Sequence, residues 1–141
     1  MIFRRRIAIV VLVGAVSAAC SSSSEKLTKE IQEANSWIAS AQIVAKSYGD
    51  GAVPKAYAHD ALNGFNQQLR STAKRVQSMS DPRVPETVAS LQRVQQAISQ
   101  IEASIEQADQ LSLAQFAVQL QNEQRQLTLL LNPGSTPTRH P

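Results

Sequence analysis

Val84-Pro85-Glu86-Thr87-Val88-Ala89-Ser90-Leu91-Gln92-Arg93-Val94-Gln95-Gln96-Ala97-Ile98-Ser99-Gln100-Ile101-Glu102-Ala103-Ser104-Ile105-Glu106-Gln107-Ala108 carries two interleaved rows. Val84, Leu91, Ile98 and Ile105 recur every seven residues. Thr87, Val94, Ile101 and Ala108 recur every seven between them. Spacing by alternating threes and fours draws one stripe along an α-helix, so this stretch is a helix with an apolar seam. The seam lasts three to four heptads, which suits a helical bundle as readily as a coiled coil. Asp81-Pro82-Arg83-Val84-Pro85 precedes it, and two prolines so close fit a helix start and oppose a helix interior.

Working outward, the same signature recurs on both sides. Upstream, Leu27, Ile31, Ala34, Ile38, Ala41, Ala45 and Tyr48 trace a stripe that predicts a helix over 25–48, with Trp37 and Val44 widening it. Ser24 is the expected N-cap, and Gly49-Asp50-Gly51 the stop. A second helix is expected over 54–80, with Pro54 in its first turn and Ala58, Leu62, Phe65, Leu69, Val76 and Met79 inward. Gly64 lies inside it at a cost of about 1 kcal/mol relative to alanine, which a close helix contact would rationalise. Downstream, Ser112 and Gln115 have capping-box spacing, and Leu111 and Phe116 the spacing of a hydrophobic staple. They open a fourth helix over 113–131, lined by Leu113, Phe116, Ala117, Leu120, Leu127, Leu130 and Leu131. Asn132-Pro133-Gly134 ends it, and 133–141 reads as a disordered tail. Four amphipathic helices (25–48, 54–80, 84–108, 113–131) with short turns give an all-α fold, an antiparallel up-down four-helix bundle over 25–132.

The N-terminus is of another kind. Arg4, Arg5 and Arg6 precede an apolar run from Ile7 to Ala19 that closes on small residues, and Ser21 to Ser24 follow Cys20. A spanning helix needs about 20 apolar residues. A cleaved signal peptide over 1–19 is therefore the better reading, with 20–24 a short serine tether. Ser17-Ala18-Ala19-Cys20 resembles the lipobox of bacterial lipoproteins. Ser17 stands where that family has an aliphatic residue, and Val16 lies one step earlier. The resemblance implies cleavage before Cys20, a diacylglycerol on its sulfur and an acyl chain such as palmitate. Ser21, where inner-membrane members of enteric lipoproteins have aspartate, implies the periplasmic face of the outer membrane. Cys20 is the only cysteine, so no intramolecular disulfide forms, and lipid attachment is the simplest use of an odd thiol.

Charge and composition narrow the rest. The chain has 14 Lys and Arg against 11 Asp and Glu, and three of the fourteen are Arg4 to Arg6, so the mature chain is neutral. No nucleic-acid partner is expected. No metal or cofactor is expected either: His59 and His140 are the only histidines, and neither has a Glu-x-x-His partner. Glu30/Glu33 and Glu102/Glu106 read as solvated faces. Nothing groups a nucleophile with a base and an orienting residue, so catalysis is not expected. Trp37 reads as core. The abundant Gln of the last two helices reads as a polar face. Arg70, Lys74 and Arg75 form the one basic cluster, a solvated face or a contact for anionic lipid or an acidic partner. The expectation is a small anchored envelope lipoprotein that acts by contact with a protein partner. The alternative is a carrier or sensor for an apolar ligand, for which Ala34, Ala41 and Ala45 would leave room.

Overall fold

The computed structural model describes the backbone of residues 7–132 and the side chains of residues 23–132. The arginines of the expected leader, the sulfur of Cys20 and the expected tail at 133–141 lie outside that range. The helices are α1 (Ile7–Gly49), α2 (Lys55–Gln77), α3 (Val84–Glu106) and α4 (Gln110–Leu129), and no strand occurs among the described residues. Cross-helix bonds fix the topology. Glu30 of α1 meets Arg75 of α2, Asn66 of α2 meets Ser99 of α3, Arg93 of α3 meets Glu123 of α4, and Gln42 of α1 meets Gln124 of α4. Each pair joins helices running in opposite directions. The four close a ring, α1–α2–α3–α4, with α1 and α3 on its diagonal. This is the expected up-down bundle.

The heptad rows of α3 form the centre. Leu91, Val94, Ile98 and Ile101 are fully buried, and Ile105 nearly so. Thr87 is buried on the same seam, where its hydroxyl donates to the Arg83 carbonyl at 2.8 Å. That bond makes a polar residue tolerable inside. Leu27, Ile31, Ala34, Ile38, Ala41 and Ala45 of α1, Leu62, Leu69 and Val76 of α2, and Leu113, Leu120 and Leu127 of α4 complete one contiguous core. A third row on α3 also recurs at sevens: Ser90, Ala97 and Ser104 are buried on the flank whose Arg93 pairs with α4. Small residues there let the two helix backbones approach.

Several expected boundaries move. α1 runs through Ser21–Ser24 without the expected break, so Ser24 caps nothing. Serine in a helix costs only about 0.5 kcal/mol relative to alanine, and extending an existing helix avoids the cost of a second nucleation. α2 ends at Gln77 and α3 at Glu106, each short of expectation. α4 starts at Gln110, three residues early, because Asp109 and not Ser112 is its cap. The Asp109 carboxylate accepts from Ser112 N at 3.0 Å and from Ser112 Oγ at 2.6 Å. A carboxylate at a helix N-terminus also meets the positive end of the helix dipole, an advantage a serine hydroxyl lacks. Leu111 is 82% exposed, so the expected staple with Phe116 does not form. Ala108 takes a left-handed φ of 52° between α3 and α4, which lets the Asp109 amide donate back to the Ser104 carbonyl at 2.9 Å. Gly64 is exposed, and a Cβ there would meet nothing within 4 Å, so no close helix contact explains it.

Candidate functional site

One end of the bundle gathers the start of the described α1 side chains, the α2–α3 turn and the end of α4. Arg83 ties the three together. Its Nε and Nη2 donate to Asp81 Oδ1 and Oδ2 at 3.1 and 3.0 Å, and its backbone N donates to Asp81 Oδ1 at 2.8 Å. Nη1 donates to the Leu130 carbonyl at 3.0 Å, and Nη2 to Ser24 Oγ at 3.2 Å. The pair is largely enclosed, with side chains 15% and 8% exposed. Arginine suits the task because its planar fork serves several acceptors at once. The guanidinium holds the Asp81 carboxyl below its ordinary range. Next to the clamp, Ser23 Oγ donates to the Ser80 carbonyl at 3.0 Å. Both serines that follow the cysteine by three and four residues are thus fastened to the body.

Two open grooves flank this end. One, of about 530 Å³, is lined by Ser23, Lys26, Glu30, Arg75, Ser78, Met79 and Ser80. The other, of about 390 Å³, runs beside Ser24, Thr28, Asp81, Pro82, Arg83 and Leu131. At the far end of the bundle a groove of about 400 Å³ lies between α1 and α4, with Ala45, Gly49, Leu113, Ala114 and Ala117 beneath Gln42, Lys46, Asp50 and Gln110.

The expected basic cluster is divided by the fold. Arg75 reaches α1, where Nη2 donates to Glu30 Oε2 at 2.9 Å and to Glu33 Oε1 at 3.2 Å. Two carboxylates match its charge, so Arg75 is a strut between α1 and α2. These bonds also show that Glu30 and Glu33 are not merely a solvated face. Arg70 stands on the opposite flank, within electrostatic reach of Glu102 on α3. Lys74 is exposed one turn along from Arg70. Trp37 is half-buried and packs on Phe65 with ring centroids 5.9 Å apart, as a core residue does.

The α2–α3 seam carries polar pairs. Lys55 and Glu106, both half-exposed, pair at 2.9 Å, and Nδ2 of the buried Asn66 donates to Ser99 Oγ at 3.1 Å. Asn66 Oδ1 and Glu102 Oε1 are buried without a protein donor. Burial raises the Glu102 carboxyl above its ordinary range, against the attraction of His59 and Arg70. Among the described residues, no group of three His, Cys, Asp or Glu could hold a metal ion. Nor, among them, is any helix long and apolar enough to cross a membrane.

The Asp81–Arg83 clamp is the feature that sequence reasoning missed. Asp-Pro-Arg between helices signals a turn, and nothing local announces that the arginine folds back to bridge three helices. Compared with protein families, with curated proteins and with solved structures, the chain finds no match.

Proposed function

We propose that this chain is a lipid-anchored envelope protein whose helical bundle acts by contact and carries out no catalysis. The carrying observation is Ser17-Ala18-Ala19-Cys20 behind Arg4 to Arg6 and a short apolar run. The lipobox resemblance makes Cys20 the first residue of the mature protein and the point of acylation. Cleavage there leaves Ser23 and Ser24 almost at the anchor, and their bonds to Ser80 and Arg83 give the lipid a fixed exit point on the body. Ser21 favours the periplasmic face of the outer membrane. The bundle would then hold or support another envelope protein, with exposed Arg70 and Lys74 as a two-residue basic contact for an acidic partner or anionic headgroups. Arg75 contributes its strut to α1 and not its charge.

A second reading, a carrier of an apolar molecule, draws on the groove of about 400 Å³ between α1 and α4. Ala34 and Ala41 favour the contact module, because they are buried within the contiguous core, whereas Ala45 lines the groove. Cys20→Ser tests the proposal. The expected result is an uncut precursor without incorporated palmitate; unchanged size and unchanged membrane retention would end the lipoprotein reading. For the carrier, an environment-sensitive apolar dye that binds wild type and is lost in Ala117→Trp would favour that reading instead.

A further inference from the structure

The outer face of α4 differs from the other exposed surfaces. Leu111, Val118 and Leu129 are 82%, 57% and 44% exposed, three of the five large apolar side chains exposed among the described residues. They are not scattered. Leu111, Gln115, Val118, Asn122, Arg125 and Leu129 are spaced 4-3-4-3-4, and all six are exposed. This is a second heptad seam on the same helix, opposite the one that Leu113, Leu120 and Leu127 bury in the core. The helix therefore has apolar residues on two opposite faces, although a helix lying on a bundle needs only one. Charge is nearly missing. Glu123 and Arg125 are the only ionisable residues of α4, and Glu123 already pairs with Arg93 at 2.9 Å. α2, by contrast, shows Lys55, Asp60, Arg70 and Lys74 to solvent.

We propose that this seam is the contact between two copies of the chain, packed antiparallel about a two-fold axis at Leu120. The register is self-complementary. Leu111 meets the second copy's Leu129, Val118 meets Asn122, and Arg125 meets Gln115, whose amide oxygen can accept from the guanidinium. Both ends of the contact are leucine on leucine, and no like charges face one another. Parallel packing would set Arg125 against Arg125, which is unfavourable for two cations at one seam position. An acidic partner finds one cation on this face, and the bilayer would have to accept Arg125 and two amides, Gln115 and Asn122.

The size of the contact sets its strength. α4 has 20 residues and so spans about 30 Å. One such face against another buries on the order of 1,000 Å², the lower limit for a specific contact. The dimer is weak in dilute solution, and confinement to a surface strengthens it by raising the effective concentration. The contact stands without the anchor. If the anchor is present, the two-fold axis lies along the membrane normal, which leaves both N-terminal ends at one height.

Thiol crosslinking of the full chain in its own membranes tests this, using Leu111→Cys and Leu129→Cys expressed separately or together and a short bis-maleimide. Coexpression is expected to give several-fold more crosslinked dimer than either variant alone. Adding Val118→Arg to both chains should abolish that product, while Gln68→Arg, at an exposed position of α2, leaves it unchanged; circular dichroism of each variant confirms the fold. Crosslinking of Leu111→Cys to itself would overturn the antiparallel register. Absence of any dimer from the coexpressed pair, including the case in which lipid alone shields position 118, would overturn the contact. Dimer from the wild type would mean a free Cys20 thiol, a failure of the anchor reading that leaves the α4 result legible.

Discussion

Replacing Arg83 with methionine keeps the aliphatic stem and removes the fork. The change strands an Asp81 carboxylate that is 8% exposed and takes a donor from the Leu130 carbonyl and from Ser24. Breaking a fully buried ion pair costs about 3–5 kcal/mol, and a hydrogen bond to a charged group contributes about 1.5–3 kcal/mol. At 15% exposure the guanidinium keeps some water, so the loss falls near 2–3 kcal/mol. For a domain of this size that lowers Tm by roughly 8–12 °C. Urea denaturation of the purified protein, followed by far-UV circular dichroism, measures it. Asp81→Asn combined with Arg83→Met should lose less than the two single losses added together, because no stranded charge remains. Acid should act on the same contact. Asp81 titrates below its ordinary value of 3.8, so its contribution is complete above that pH and fades as pH falls through the depressed value. A loss under about 0.5 kcal/mol, the scale of an ordinary surface substitution, or additive single losses would refute the clamp.

Three further perturbations follow from the local geometry. Ala108→Gly relieves a left-handed φ of 52° and should stabilise by about 0.5–1 kcal/mol in the same denaturation assay; a loss would contradict the strain. Gly64→Ala, with nothing within 4 Å of the added carbon, should raise stability by about 0.5–1 kcal/mol through helix propensity, and a drop would reveal a contact at that site. Glu102 carries a raised carboxyl pKa, so folding is favoured below the ordinary value of 4.5 and loses that advantage as pH rises through the raised value. Glu102→Gln should therefore unfold at higher urea than wild type at neutral pH and lose the difference by about pH 4; an equal or lower midpoint at neutral pH would contradict the burial argument.

The bundle was legible because its signal is periodic and redundant. Leu91, Val94, Ile98, Ile101 and Ile105 mark one face by spacing alone, and burial follows the spacing. Helix ends were less legible because competing caps differ by little. Asp109 and Ser112 both have capping chemistry, and what decides between them is that Ala108 accepts a left-handed turn, which its residue type disfavours. The basic cluster was legible as composition and not as geometry. Arg70 and Arg75 are five residues apart, which on a helix sends them to different neighbours. Arg83 was invisible because its partners are distant in sequence: Ser24 and Leu130 lie 59 and 47 residues away. The outer seam of α4 is visible in the sequence, since Leu111, Val118 and Leu129 keep heptad phase, but Leu111 also has the spacing of a staple with Phe116, and the two readings compete for one residue.

The most direct measurement is the intact mass of the protein extracted from its native membranes, with fragmentation of the N-terminal peptide. The expected result is a chain that begins at Cys20 and carries diacylglycerol on the sulfur. A bare thiol at Cys20, or an N-terminus beyond it, would contradict the anchor and the contact role built on it.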